Sequence, residues 1–363
     1  MASRRLVTLF TELARLDGPP GKEAPVANYA VSFLKSLGLP VQVDGSAAAA
    51  LSNTGNVICE VGGGGDFALL AHMDTPQPTS KTEPQVTADR VTSAGKGPLG
   101  VDGRAGMAAI LYALERAVNS GLPLKPFTIA LTTRAKGNMA GVKNLVLPPK
   151  IRCAFVFGSE LDPGTYTASS PGIALFSADI LGRTSDAASD PEGGISAIAI
   201  AAKAIAALPL GRHDPDTTSN IGTIAGGVNP GLVPLAALVR GQVRVLEAAK
   251  ALPLLARFKD EFEKAAAAAG GAVAFRWSWD YQPYRHAAGA EVLRLAEWAL
   301  RDAKLDPAPA AAPGGSEANA LNAKGLAAVS FGIGARAQKQ NDEYILLDHL
   351  AKAAEIVTQL IKA

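Results

Sequence analysis

Four short apolar runs, at residues 56–61, 67–72, 127–132 and 153–157, constrain this chain more than any other feature. Each is five or six residues long and bounded by turn formers, which suits strands buried on both faces. Residues 105–118 repeat apolar side chains at helical spacing, and 6–16 and 24–37 read as helices parted by Gly18-Pro19-Pro20-Gly21. Strands alternating with helices predict a three-layer α/β core.

A second unit begins near Pro171. Residues 173–181 read as a strand, 195–208 as an alanine-rich helix, 220–224 and 238–245 as strands, 247–269 as a long helix and 273–279 as an alternating strand. That order is the split βαβ, ferredoxin-like pattern. The chain then returns to the first unit through a helix at 290–302, a strand at 327–333 and a helix at 348–361. The expected organisation is a discontinuous core, 1–172 and 284–363, interrupted by an inserted α+β lid, 173–283. Alanine-rich stretches at 47–50, 265–269 and 308–312 have no fixed period, and Pro307, Pro309 and Pro313 predict a loop.

With 363 residues the chain can bury a substantial core, and 48% hydrophobic against 19% charged residues describes a globular protein. A formal charge of +2 argues against nucleic acid or an anionic membrane as partner. No apolar span reaches membrane length, and the N-terminus lacks the apolar core of a signal peptide. Cys59 and Cys153 sit in strand-like runs and read as buried free thiols, so a cytoplasmic location is expected.

Three segments carry chemistry. Ala71-His72-Met73-Asp74-Thr75 ends a strand in His-x-Asp, placing both side chains on one face. There the imidazole can bind an ion while the carboxylate orients it; the same pair would also serve as a hydrogen-bonded strand end. Asp102, after Gly97-Pro98-Leu99-Gly100, is either a ligand or a helix N-cap. The third segment is Thr132-Thr133-Arg134-Ala135-Lys136-Gly137-Asn138-Met139-Ala140-Gly141.

Together with Gly182-Arg183-Thr184-Ser185-Asp186, Asn220-Ile221-Gly222-Thr223, Gly314-Gly315-Ser316-Glu317-Ala318-Asn319 and Asp342-Glu343-Tyr344-Ile345, these segments resemble the zinc exopeptidase family of peptidase T, carboxypeptidase G and aminoacylase. The resemblance spans nearly the whole chain and is nearest the peptidase T branch. It implies an α/β zinc-exopeptidase-like core with a ferredoxin-like lid that also makes a homodimer contact. It further implies two zinc ions sharing an aspartate, with a glutamate as general base. Position by position, His72 matches the first-zinc histidine, Asp74 its orienting partner and Asp102 the bridging carboxylate. Arg244 matches an arginine that engages the substrate carboxylate, with a surface ion pair as the competing and simpler reading. Gly315 and Ser316 lie beside the expected cleft, where the glycines could equally build a tight turn.

The departures fall on the chemistry. The Glu-Glu pair of the resemblance becomes Ala135-Lys136, removing the base and a second-zinc ligand. The next aspartate falls at Gly158, the last histidine at Lys339 and the lid histidine at Asp186. Glu160 or Asp162 could supply a replacement carboxylate. A catalytic zinc needs three protein ligands and an open position, so full two-zinc occupancy is not expected and room remains for one divalent ion (Zn, Mn or Co). Lys136 and Lys339 replace ligands with ammonium groups that could stand in for a lost cation and pair with Asp102, or could simply reach water. His213, His286 and His349 match no motif. Three readings stay open: a peptidase-like homologue that binds a peptide or amino-acid derivative without hydrolysing it, a one-metal or rearranged peptidase or amidohydrolase, and a dimeric scaffold.

Overall fold

The computed structural model describes residues 2–93, 97–336 and 342–363. Its backbone forms two units, Met1–Ser169 with His286–Ala363, and Ser170–Arg285. In the first, one sheet runs in the order Val41–Val43, Val57–Val61, Phe127–Thr132, Phe67–His72, Cys153–Ser159, Ala327–Gly332, Thr165–Ser170. Its centre is parallel: Phe67–His72 lies between Phe127–Thr132 and Cys153–Ser159, and Ala327–Gly332 extends the same direction. Every residue of Phe67–His72 and of Phe127–Thr132 is buried. Both faces are therefore covered, which is why these strands read as continuous apolar runs rather than as alternating ones.

The long helix Val101–Ser120 packs on Phe67–His72 and Cys153–Ser159, with Arg4–Arg15 and Leu347–Ile361 against its flanks. Its approach is close enough that a Cβ at Gly106 would lie 1.9 Å from the Phe157 carbonyl oxygen. Beneath it, Phe67, Phe127, Phe155, Phe157 and Phe331 form a chain of ring contacts with centroids 5.3 to 6.2 Å apart. Cys59 and Cys153 are buried and free, and burial pushes their thiols up to about 11 and about 12.

Two features depart from the sequence expectation. The proline-marked stretch contains a strand, Ala308–Ala311, parallel to Thr165–Ser170. Pro309 is tolerated because an edge strand can leave one side unpaired. A small sheet of Tyr344–Leu346, Arg90–Thr92 and Gln85–Val86 was not anticipated, because strands of two or three residues carry no readable period.

The second unit is an antiparallel sheet in the order Gly211–Asp214, Thr217–Gly226, Ala236–Val245, Gly172–Leu181, Ala272–Tyr281. Helices Ala197–Ala207 and Ala248–Ala269 bury its inner face through Phe176, Val239, Val243, Phe258 and Phe262. Gly211–Asp214 is one strand more than the expected six elements. Among the described residues no helix is long and apolar enough to cross a membrane.

Replacing Gly106 with alanine forces the helix off the Phe157 backbone. Urea unfolding of that variant is expected to show a loss of about 1–3 kcal/mol, whereas Gly121→Ala at the open end of the same helix acts only through its left-handed backbone.

Candidate functional site

The carboxyl ends of the parallel strands present the side chains in question, as is usual for open α/β sheets. His72 closes one strand, Lys136 follows the strand ending at Thr132, and Gly158 lies near the end of Cys153–Ser159. Together with Asp102, Ala135, Glu160, Thr167, Ser330 and the 312–317 segment they line a cavity of about 180 Å³.

Asp102 is the hub. Its Oδ1 lies 2.8 Å from His72 Nε2, and its Oδ2 accepts a hydrogen bond from the Lys136 ammonium. Burial alone would raise the Asp102 pKa, but Lys136 and His72 together hold it well below the usual carboxylate range. Burial likewise opposes charge on His72, yet Asp102 and Asp74 outweigh it and push the imidazole up to about 10. For Lys136 the sum again favours charge: burial lowers its pKa, Asp102 raises it more.

Asp74 orients both of these elements. It lies 3.2 Å from His72 Nδ1, while its two oxygens accept the backbone N–H groups of Ala135 and Lys136 at 2.9 and 2.8 Å. The carboxylate thus ties the end of one strand to the turn after the next and sets where Lys136 starts. Asp102 is not the N-cap that its position suggested. It has φ −70° and ψ 112°, followed by Gly103 at φ 98° and ψ −56°, and regular helix begins after that pair. A Cβ at Gly103 would sit 2.6 Å from both His72 Nδ1 and its carbonyl oxygen, so glycine is required there on space as well as on φ.

Two buried carboxyl groups were not singled out from sequence. Glu343 receives the N–H groups of Leu99, Gly100 and Val101 at 2.6, 2.7 and 2.9 Å, clamping the segment that leads into Asp102. Burial nevertheless pushes its carboxyl up to about 7. Glu317, 2% exposed, accepts a hydrogen bond from Thr132 Oγ1, and burial raises its pKa as well. Both lie in segments that carried the family resemblance, but burial of a carboxyl group leaves no mark in a sequence.

The remaining candidates fall in several places. Gly315 and Ser316 line the cavity, and Ser316 Oγ lies 3.0 Å from Ser330 Oγ. Glu160 reaches the cavity lining as an exposed residue. Asp162 is ion-paired with Arg336, and His349 Nε2 approaches it to 3.8 Å. A Cβ at Gly158 would meet Asp102 Oδ1 at 3.4 Å and His72 Cδ2 at 3.9 Å, so this position looks onto the pair without a side chain. Lys339 lies outside the described residues. Arg244 belongs to the second unit, half-buried on the sheet face opposite Val243 and Val245. Asp186, also there, accepts the N–H groups of Ala188 and Ser189. Among the described residues no group of three or more His, Cys, Asp and Glu side chains is arranged to hold a metal ion.

The family model of Peptidase family M20/M25/M40 matches residues 68–363. The chain belongs to that family. It is 30% identical to the aminopeptidase PepT from Bacillus cereus ATCC 10987, with a TM-score of 0.88 over 98% of this chain and 97% of that one. A tripeptidase from Staphylococcus aureus subsp. aureus Mu50 is 28% identical, with a TM-score of 0.91 over 100% and 98% of the two chains. A curated relative, the uncharacterized protein YqjE of Bacillus subtilis (strain 168), is 29% identical over 99% of this chain and 98% of its own length. The fold is thus that of a peptidase T-like M20 metallopeptidase with a separate lid domain. A Bacillus subtilis M20 protein described as a dinuclear metal-binding peptidase shares that fold at 17% identity, with a TM-score of 0.71 over 98% of this chain and 96% of that one.

Two predictions follow from the Asp102 hub. His72 has a folded pKa near 10 against an ordinary 6.5, so the folded state binds the extra proton between those values. Its stabilisation is complete below pH 6.5 and is lost as pH rises through about 10. Denaturant titrations across that window should show stability falling, with a shallower fall in His72→Phe. A double-mutant cycle on Lys136→Met and Asp102→Asn should give a coupling of about 1–3 kcal/mol; additive effects would mean the two charges do not stabilise each other.

Proposed function

We propose that this M20 protein is a peptidase T-like homologue that binds a peptide or amino-acid-like ligand and lacks two-zinc peptide hydrolysis. The observation that carries the reading is the Lys136 ammonium on Asp102 Oδ2. With His72 on Oδ1, both oxygens of the carboxylate that the resemblance makes a metal bridge are already taken. The donors present do not fit a pair of divalent ions. Position 135 carries a methyl group where a general base would stand, and position 158 has no side chain to offer. An alanine cannot accept the proton that metal-assisted hydrolysis must remove from water.

The rest of the cavity supports a binding role. Ser159, Thr167, Ser316 and Ser330 bring hydroxyl groups to its wall, and Lys136 and Glu317 bring charge-bearing groups of opposite sign. In the second unit, Arg244 has the planar fork suited to a carboxylate. A second reading, a one-metal peptidase or amidohydrolase, draws on the retained His72, Asp74 and Asp102 with Glu160 at the cavity lining.

Metal analysis of the purified chain together with assays on di- and tripeptides separates these. The expected result is well under one zinc, manganese or cobalt per chain and no turnover, even with metal added. One ion with turnover favours the second reading. Two ions with turnover of tripeptides overturn the proposal.

A further inference from the structure

We propose that the amino ends of the parallel strands carry a second ligand site, a groove that takes a small aromatic carboxylate with its ring beside Trp298 and its charge on Lys125. The groove holds about 470 Å³ and lies wholly within the first unit. That is in the size range of small-molecule sites, roughly 300–1,000 Å³. Phe67, on its lining, opens the strand that His72 closes, and at roughly 3.3 Å per residue those two ends lie about 17 Å apart. The site is therefore separate from the Asp102 cavity and does not depend on what that cavity binds.

The walls of the groove are fixed by the fold. Helix Glu291–Asp302 buries Val292, Leu293, Ala296, Ala299 and Leu300 in the core. Glu291, Leu295 and Trp298, spaced four and three residues apart, form a further ridge of the same helix that lines the groove. Trp298 keeps 37% of its surface exposed there. Phe67, Phe155 and Leu360 complete the apolar lining. Backbone contacts hold the strand starts together. The Arg152 N–H donates to the Asp66 carbonyl at 2.7 Å, and the Lys125 N–H to the Ile361 carbonyl at 2.9 Å. A Cβ at Gly65 would fall 1.7 Å from the Pro126 carbonyl oxygen. A groove already formed in this way spends little ordering entropy when a ligand enters.

The charges around the groove narrow its occupant. The strands that start at Phe127 and Cys153 flank the one that starts at Phe67. Lys125 and Arg152 thus stand on opposite flanks, their backbones roughly 10 Å apart at about 4.8 Å per strand. Arg152 is spent on two carboxylates, Asp66 at 2.5 Å and Glu291 at 3.2 Å. That flank carries one surplus negative charge, which turns an anion away. Lys125 Nζ lies 4.3 Å from the Trp298 ring centroid and, among the described residues, meets no carboxylate. An anion is drawn to that flank. Between the flanks the surface is largely aromatic, and a flat ring gains edge-to-face or offset contacts there that an alkyl chain does not. One carboxylate on an aromatic ring matches one unpaired ammonium beside one exposed indole.

Calorimetry on the intact protein tests this with 2-naphthylacetate, its uncharged amide 2-naphthylacetamide, and octanoate. The aromatic acid is expected to bind, and the amide to bind roughly three- to tenfold more weakly, as loss of a partly exposed ion pair implies. Octanoate should bind more weakly than the aromatic acid. Lys125→Met should bring acid and amide to the same affinity, and Trp298→Ala should weaken both. Lys136→Met, in the other cavity, should leave all three as in the native chain. Equal binding of acid and amide to the native chain, or octanoate binding as tightly as the acid, overturns the assignment. Loss of the acid in Lys136→Met with its retention in Lys125→Met also overturns it, by placing the acid beside Asp102. Absence of binding by all three does so outright. Should Trp298→Ala fail to fold, the acid and amide compared on the native chain and on Lys125→Met decide the matter.

Discussion

A carboxylate shut almost wholly away from solvent needs opposite charge to stay ionised, and at the end of this sheet Asp102 finds it twice. His72 takes one oxygen and Lys136 the other. Losing one partner of such a group is costly because the remaining charge stays buried. The neighbouring geometry serves this arrangement. Gly103 turns the chain beneath His72, Asp74 fixes the backbone from which Lys136 extends, and Glu343 clamps the segment leading to Asp102. Each contact joins parts of the chain far apart in sequence, so the site is held by the whole core rather than by any one loop.

The family frame gives this cluster its meaning. M20 relatives of high structural similarity include an aminopeptidase and a tripeptidase, and the chain keeps their fold over almost its whole length. Within that fold the Lys136 ammonium is held by its own side chain beside Asp102, and the cavity wall displays hydroxyl and charge-bearing groups, Glu317 among them.

The fold was largely legible because it rests on periodicity. Strands 67–72 and 127–132 begin and end where the sequence runs do, since covering both faces leaves no exposed position inside them. The edge strand Ala308–Ala311 and the two- and three-residue strands around Arg90 were not legible, because pairing with a distant segment, not composition, makes them strands. At the site, His72, Asp74, Asp102 and Lys136 could be nominated from motif order. Glu317 and Glu343 could not, because a glutamate in a glycine-rich or acidic segment gives no sign that its carboxyl is enclosed.

By itself, then, the sequence determined which residue types stand at each strand end: histidine at 72, alanine at 135, lysine at 136, glycine at 158. Side-chain chemistry is local, and an alanine or a glycine offers no carboxylate in any fold. Only the tertiary structure decided which of those groups meet. Whether Lys136 turns to water or to Asp102, and whether Glu317 is enclosed, depends on burial and on backbone hydrogen bonds between distant segments. Those are set when the sheet closes, and no single stretch of chain contains them.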